Sequence, residues 1–134
     1  MVGIRATRAL CMKPGLSGIA RIIAAAKNSL RGIRDAWQFE SAFRQDSVIS
    51  ALLLLLSFWL AQTIVEWLLL IMPLFLLLIV EILNSAIENT IDRIGEERHI
   101  LSGRAKDMGS SAVMFCLILI AIVWLSIAWS RFYV

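Results

Sequence analysis

The sequence predicts an all-α membrane protein, an N-terminal amphipathic surface helix followed by three transmembrane helices, and three observations carry that reading. Of 134 residues, 60% are hydrophobic and the mean hydropathy is +0.81, whereas ordinary soluble domains are about 45–50% apolar. Three runs, at about 48–65, 67–87 and 112–130, approach the ~17–25 apolar residues that a spanning helix requires. These runs are apolar on every side, which a soluble three-helix bundle does not need.

The first element follows Ser17, a candidate N-cap, and runs over 18–37. Ile19, Ile22, Ile23, Ala26, Leu30, Ile33 and Trp37 recur at helical spacing and form one apolar stripe, with Lys27, Arg31 and Arg34 beside it. That pattern suits a helix lying in the membrane interface, or one packed on the protein itself. Glu40, Arg44 and Asp46 come next, where a carboxylate can stay at headgroup level. The connection between the first two spans is so short that they form an antiparallel hairpin. Pro73 falls early in the second span. It bends that helix or is absorbed by its neighbours. The polar end of this span continues as helix to about Ile94, with Gly95 as a stop signal. Residues 95–111, rich in Gly, Ser and charge, read as a cytoplasmic loop. Trp124 and Trp129, late in the third span, suit an aromatic belt.

The net charge is +3, but its placement says more. Eight of the thirteen Lys/Arg residues precede the first span, four (Arg93, Arg98, Arg104 and Lys106) separate the second from the third, and only Arg131 follows the third. The positive-inside rule then places the N-terminus and the second connection in the cytoplasm and the C-terminus outside. A nucleic-acid partner is not indicated, because these charges flank spans without interleaved aromatic platforms. Residues 1–16 lack the long apolar core of a secretory signal and read as a cytoplasmic tail, leaving 17–134 as one integral-membrane domain. Cys11 and Cys116 are two lone thiols without metal-ligand spacing.

Chemistry concentrates at the inner end of the second span. Glu81, Asn84, Ser85, Glu88 and Asp92 fall within roughly a 100° arc of one helix face at about 100° per residue. A carboxylate in a bilayer is costly and is tolerated where it faces protein, water, a metal or a substrate. Gly103-Arg104-Ala105-Lys106-Asp107 adds a basic, Gly-containing segment suited to a phosphorylated ligand. There is no Walker A sequence and no protein-kinase signature set. Phosphoryl transfer requires positioning, neutralised phosphate charge and an oriented nucleophile, and carboxylates hold Mg²⁺ together with phosphate oxygens. Glu81, seven residues before Glu88, lies about 10 Å deeper in the apolar segment at 1.5 Å per residue. The deeper acid is placed to meet a lipid hydroxyl, and the shallower one a metal-bound nucleotide. Against this, Asn84 and Ser85 also suit plain interhelical hydrogen bonding. Asp92 and Arg93 suit a solvated helix end, and His99 an exposed position or a nucleotide contact.

The stretches Glu81-Ile-Leu-Asn-Ser-Ala-Ile-Glu88, Asp92-Arg-Ile-Gly95 and Ser102-Gly-Arg-Ala-Lys-Asp-Met-Gly-Ser110 closely resemble the prokaryotic diacylglycerol kinase family, over about residues 19–132. The resemblance implies a homotrimer in the bacterial inner membrane, with a cytoplasmic N-terminus and a periplasmic C-terminus. It implies transfer of the ATP γ-phosphate to the primary hydroxyl of diacylglycerol, with Mg²⁺ as cofactor. By the same match, Glu81 looks like the general base, and Glu40 and Glu88 look like the Mg²⁺-binding carboxylates. Arg21, Asn28, Glu97, Arg98, His99, Lys106 and Asp107 resemble nucleotide-side positions. Ser29, Ala42, Phe43, Arg44, Gln45, Asp46, Trp59, Ser110, Trp124 and Trp129 resemble lipid-side positions, which Arg21 and Glu81 share. Asn84 and Asp92 are further polar members of the site. Asn28 stands where an aromatic residue is expected, and Asp46 where a Glu is usual. Undecaprenol kinases share the fold and chemistry with a polyprenol acceptor, but Ala42-Phe43-Arg44-Gln45 looks more like the diacylglycerol branch. A non-enzymatic membrane scaffold or transporter subunit would leave Gly103–Asp107 without a task. Because Glu40 and Glu88 lie on different elements, sites between subunits are expected.

Overall fold

A computed structural model describes residues 18–95 and 99–133, which form four helices: α1 Ile19–Phe39, α2 Ser41–Leu60, α3 Ile64–Ile94 and α4 Ile100–Tyr133. Ser17, Cys11 and the tail expected over 1–16 lie outside the described residues, as do Glu97 and Arg98. The chain divides into a unit ending at Gly32 and a second beginning at Ile33.

In the first unit, Gly18 takes φ 61°, a left-handed conformation that glycine adopts without Cβ strain. Its carbonyl accepts from the amides of Arg21 and Ile22, at 3.2 and 3.4 Å, which starts α1. Ile19, Ile22, Ile23 and Leu30 are all exposed. That apolar stripe beside Lys27 and Arg31 is the surface expected of an interfacial helix.

In the second unit, α2, α3 and α4 are long and apolar enough to cross a membrane. The 31 residues of α3 and the 34 of α4 span about 46 and 51 Å at 1.5 Å per residue, so both exceed the ~30 Å hydrocarbon core. The helix α3 packs against both α2 and α4, which scarcely touch each other. The apolar core is small: Phe43, Leu60, Leu70, Leu74, Leu77 and Cys116 are buried, while long rows of Leu, Ile and Phe face outward. Water would not tolerate such a surface, and lipid does.

The helices begin and end for identifiable reasons. Thr63 caps α3, its hydroxyl accepting from the Glu66 amide at 3.2 Å while the Glu66 carboxylate accepts from the Gln62 amide at 2.7 Å. The helix ends at Ile94 and Gly95, as the sequence predicts. Pro73 stays within α3, buried. Having no N–H, it takes away the partner of the Leu69 carbonyl. One residue on, the Leu70 carbonyl accepts the Trp124 indole N–H from α4 at 3.2 Å. Trp124 is therefore an interhelical strut as well as an aromatic residue of the third span.

Several boundaries differ from the sequence reading: α2 ends at Leu60 rather than near 65, and α3 starts at Ile64 rather than 67. Residues 100–111 are not loop but the first three turns of α4. Gly in a helix interior costs about 1 kcal/mol relative to Ala, and two glycines argued for a loop. Packing of this segment on the polar end of α3 outweighs that penalty, and the His99 ring Nδ1 accepts from the Leu101 amide at 3.2 Å to cap the helix. Likewise α2 begins at Ser41, one to two turns before the apolar run, because Phe43 already packs inward and is 5% exposed.

Candidate active site

The break between α1 and α2 falls at Glu40, whose backbone is extended (φ −103°, ψ 110°). Its carbonyl receives the Arg44 amide at 3.3 Å, while the Arg44 guanidinium turns back to the Trp37 and Gln38 carbonyls at 3.0 and 3.2 Å. Arg44 thereby satisfies carbonyls orphaned at the end of α1 and fixes the corner. The Glu40 side chain makes no cap hydrogen bond to its own helix. It crosses to α3, where Oε1 accepts from Asn89 Nδ2 at 2.8 Å.

Opposite that corner lies a cavity of about 370 Å³. Helix α3 contributes Glu81, Asn84, Ser85 and Glu88 to its wall; the corner contributes Glu40, Ser41 and Ala42; α4 contributes Ser110 and Val113. The polar stripe inferred from 3.6-residue periodicity thus lines a single concave surface. Glu81 is 4% exposed, and no donor among the described residues bonds its carboxylate. Asp46, Glu88 and Glu40 lie within electrostatic reach of it. Asn84 donates Nδ2 to Glu88 Oε1 at 3.0 Å, which fixes the amide orientation, since a flipped amide would set oxygen against oxygen. Its Oδ1 is buried without a partner among the described residues. It lies where α4 approaches at Gly109: a Cβ there would overlap Asn84 Oδ1 and stand 3.2 Å from Asn84 Cγ.

Other expected site residues of the second unit lie outside this wall. Lys106 Nζ binds Asp92 Oδ1 at 2.6 Å, an exposed ion pair that ties α4 to α3 beyond the cavity. Asp107 is exposed, its carbonyl accepting from Ser111 Oγ at 2.7 Å. Arg21, Asn28 and Ser29 are exposed on α1 in the first unit, where Asn28 Oδ1 accepts from Arg31 and Ser29 Oγ donates to the Ala25 carbonyl at 3.1 Å. Gln45 is exposed, Asp46 half-buried and Phe43 buried on α2. Trp59 and Trp129 belong to aromatic pairs with Phe132 and Tyr133, centroids 5.8 and 4.6 Å apart. Trp59 lies about 25 Å along α2 from Ala42 at 1.5 Å per residue, far from the carboxylates. The sequence reading missed Ser41 and Val113 in the wall and Asn89 on Glu40.

A single chain brings Glu40, Glu81 and Glu88 to one cavity wall. Among the described residues no three His, Cys, Asp or Glu side chains form a closed metal-binding group. Two carboxylates beside open space, each with one oxygen held by an amide, do fit Mg²⁺. That ion is commonly bound through one or two carboxylates, with waters and substrate phosphates completing its shell.

Residues 27–128 match the sequence profile of prokaryotic diacylglycerol kinase. The chain is 49% identical to the diacylglycerol kinase of Escherichia coli K12 over 121 residues, covering 90% of this chain and 99% of that protein. It is 44% identical to the diacylglycerol kinase of Haemophilus influenzae, covering 81% and 92% of the two chains. Identity to that of Pseudomonas aeruginosa is also 44%, with 84% and 92% covered.

Proposed function

The chain belongs to the prokaryotic diacylglycerol kinase family, and from that premise we propose that it transfers the ATP γ-phosphate to the primary hydroxyl of diacylglycerol, yielding phosphatidic acid at the cytoplasmic face of the bacterial inner membrane. One observation carries the mechanistic reading: Glu81 is a buried carboxylate without a hydrogen-bond donor among the described residues, facing the same cavity as Glu40 and Glu88. A base must have a free lone pair within reach of the proton it removes. Glu81 has both the lone pair and the depth, because it lies further into the apolar part of α3 than Glu88.

Glu81 takes the proton from the lipid hydroxyl as that oxygen attacks the γ-phosphorus, and ADP leaves. Glu40 and Glu88 would hold Mg²⁺, which when bound neutralises phosphate charge. Asn84 orients the Glu88 carboxylate. Ser110 and Ser85 supply hydroxyls along the wall for the glycerol end of the lipid, while Ala42 keeps its rim narrow and apolar. Arg21, Asn28, Glu97, Arg98, His99, Lys106 and Asp107 belong to the nucleotide side. Of these, Lys106 must exchange its Asp92 partner for phosphate. The exchange costs little, since an exposed ion pair contributes only about 0–1 kcal/mol. Trp59, Trp124 and Trp129 act on the acyl chains or the membrane interface rather than on the hydroxyl.

Purified protein given Mg-ATP and a panel of lipid alcohols in mixed micelles is expected to phosphorylate diacylglycerol in preference to undecaprenol. Preference for the polyprenol would overturn the assignment of acceptor. We further infer assembly as a homotrimer. The support is the resemblance to the family together with the polar wall of Glu40, Glu81 and Glu88, which three helices alone shield poorly from lipid. Light scattering of the detergent-corrected particle should give about three chain masses; a single chain mass would exclude it.

A further inference from the structure

Glu40 is an unusual candidate metal ligand. It is a helix-corner residue with extended backbone, half-exposed, on a separate element from Glu88. Nothing in its own helix restrains the carboxylate, because the cap hydrogen bond that an N-cap side chain commonly makes is absent. One side chain takes up that restraint. Asn89 Nδ2 donates both to Glu40 Oε1 and to the Ser85 carbonyl one turn back on α3, each at 2.8 Å. The Ser85 bond locks the amide against the helix, and the second donor then aims at Glu40 and leaves Oε2 for another partner. Across the cavity, Asn84 does the same for Glu88 from the preceding turn of α3.

Resting on the metal-binding reading of Glu40 and Glu88, we propose that Asn89 is a positioning residue that holds the Glu40 carboxylate over α3 for divalent-cation binding. Asn89 itself is exposed and does not line the cavity. Its effect passes through Glu40 alone. Groups that orient metal-binding side chains typically change metal affinity by about 10–100-fold when removed, and an exposed amide belongs at the lower end. The same geometry excludes a role as proton carrier, because an amide neither takes nor gives a proton at neutral pH.

The test uses the full chain in mixed micelles. The midpoint of Mg²⁺ activation is measured at saturating ATP and diacylglycerol. Mn²⁺ binding is followed by electron paramagnetic resonance with a non-hydrolysable ATP analogue, without lipid substrate. Asn89→Ala should raise both midpoints about tenfold, with kcat at saturating Mg²⁺ and the melting temperature near wild type. Asn89→Gln, which restores an amide donor on a longer stem, should recover part of the shift. In a Glu40→Gln background, adding Asn89→Ala should produce no further change, since the two residues act as one unit. Unchanged midpoints in Asn89→Ala would overturn the proposal, as would an equal loss in Asn89→Gln or a loss that tracks melting temperature. Failure of the underlying metal reading has a separate signature: Glu40→Gln and Glu88→Gln would then bind Mn²⁺ as wild type does.

Discussion

Replacing Glu81 by Gln is expected to lower lipid phosphorylation by about 10²–10⁴-fold, the usual contribution of a positioned general base, equivalent to about 2.7–5.5 kcal/mol of barrier. The substitution preserves volume and leaves α3 packing undisturbed around Leu77 and Ser85, both buried beside it. Basicity is what it removes. Stability should not fall: three other carboxylates, Glu40, Asp46 and Glu88, act on Glu81 through their charge, and a neutral amide relieves that repulsion. The KM for Mg-ATP should stay within a factor of two or three, because the nucleotide is assigned to the shallower Glu88 and Glu40. A loss of kcat at constant KM marks an interaction made in the transition state alone. Three measurements check this: initial rates with diacylglycerol, the ATP dependence and the melting temperature. Turnover within tenfold of wild type would remove Glu81 from the chemistry. Loss of the folded oligomer together with activity would assign it to structure.

How far the sequence anticipates this site depends on what kind of relation joins its residues. Glu81, Asn84, Ser85 and Glu88 are related by helical periodicity alone, and the structure places all four on one cavity wall. Asn89 illustrates the limit of that method. Eight residues beyond Glu81, it sits about 80° round the helix at 100° per residue, just outside the stripe, so an angular count sets it aside. It is nevertheless the residue facing the α1–α2 corner. Its spacing of four from Ser85 was the available signal, but only the position of Glu40 gives that spacing a meaning, and periodicity along one helix is silent about another. The resemblance to a known family, rather than any pattern in the residues, pointed to Glu40.

The start of α4 shows a different failure. Composition rich in Gly, Ser and charge is the ordinary mark of a loop, and Gly103 with Gly109 strengthened it. Tertiary packing overrode local preference: the segment rides on α3 and is tied to it by Lys106 and Asp92. The three spans, in contrast, were legible because lipid imposes one requirement, a run of apolar residues with every backbone group satisfied within the helix. Their ends shifted by several residues because the polar extensions of α2, α3 and α4 are helical too, and hydropathy does not register them.

The two glycines of that segment provide the sharpest separation between local and tertiary effects. A Cβ at Gly103 meets nothing within 4 Å, whereas one at Gly109 overlaps Asn84 Oδ1. Helix preference favours Ala over Gly by about 1 kcal/mol at both positions. Gly103→Ala should therefore be neutral or slightly stabilising, with full activity. At Gly109 the same gain is opposed by overpacking, typically about 1–3 kcal/mol in a packed interior. The least costly relief is rotation of the Asn84 amide, because its carbon skeleton is buried and its Cα lies 3.9 Å from the added methyl. Rotation breaks the bond from Asn84 Nδ2 to Glu88 Oε1. A hydrogen bond to a charged group is worth about 1.5–3 kcal/mol, so Gly109→Ala should lower kcat/KM for Mg-ATP by up to about 10–150-fold and lower the melting temperature relative to Gly103→Ala. Parallel assays of the two variants check this, with Gly109→Ala/Asn84→Ala as the third chain. If the clash acts through Asn84, the double variant is no worse than Asn84→Ala alone. Equal behaviour of Gly103→Ala and Gly109→Ala would mean that α3 and α4 stand further apart at this level, and the coupling of Gly109 to Glu88 through Asn84 would be lost with it.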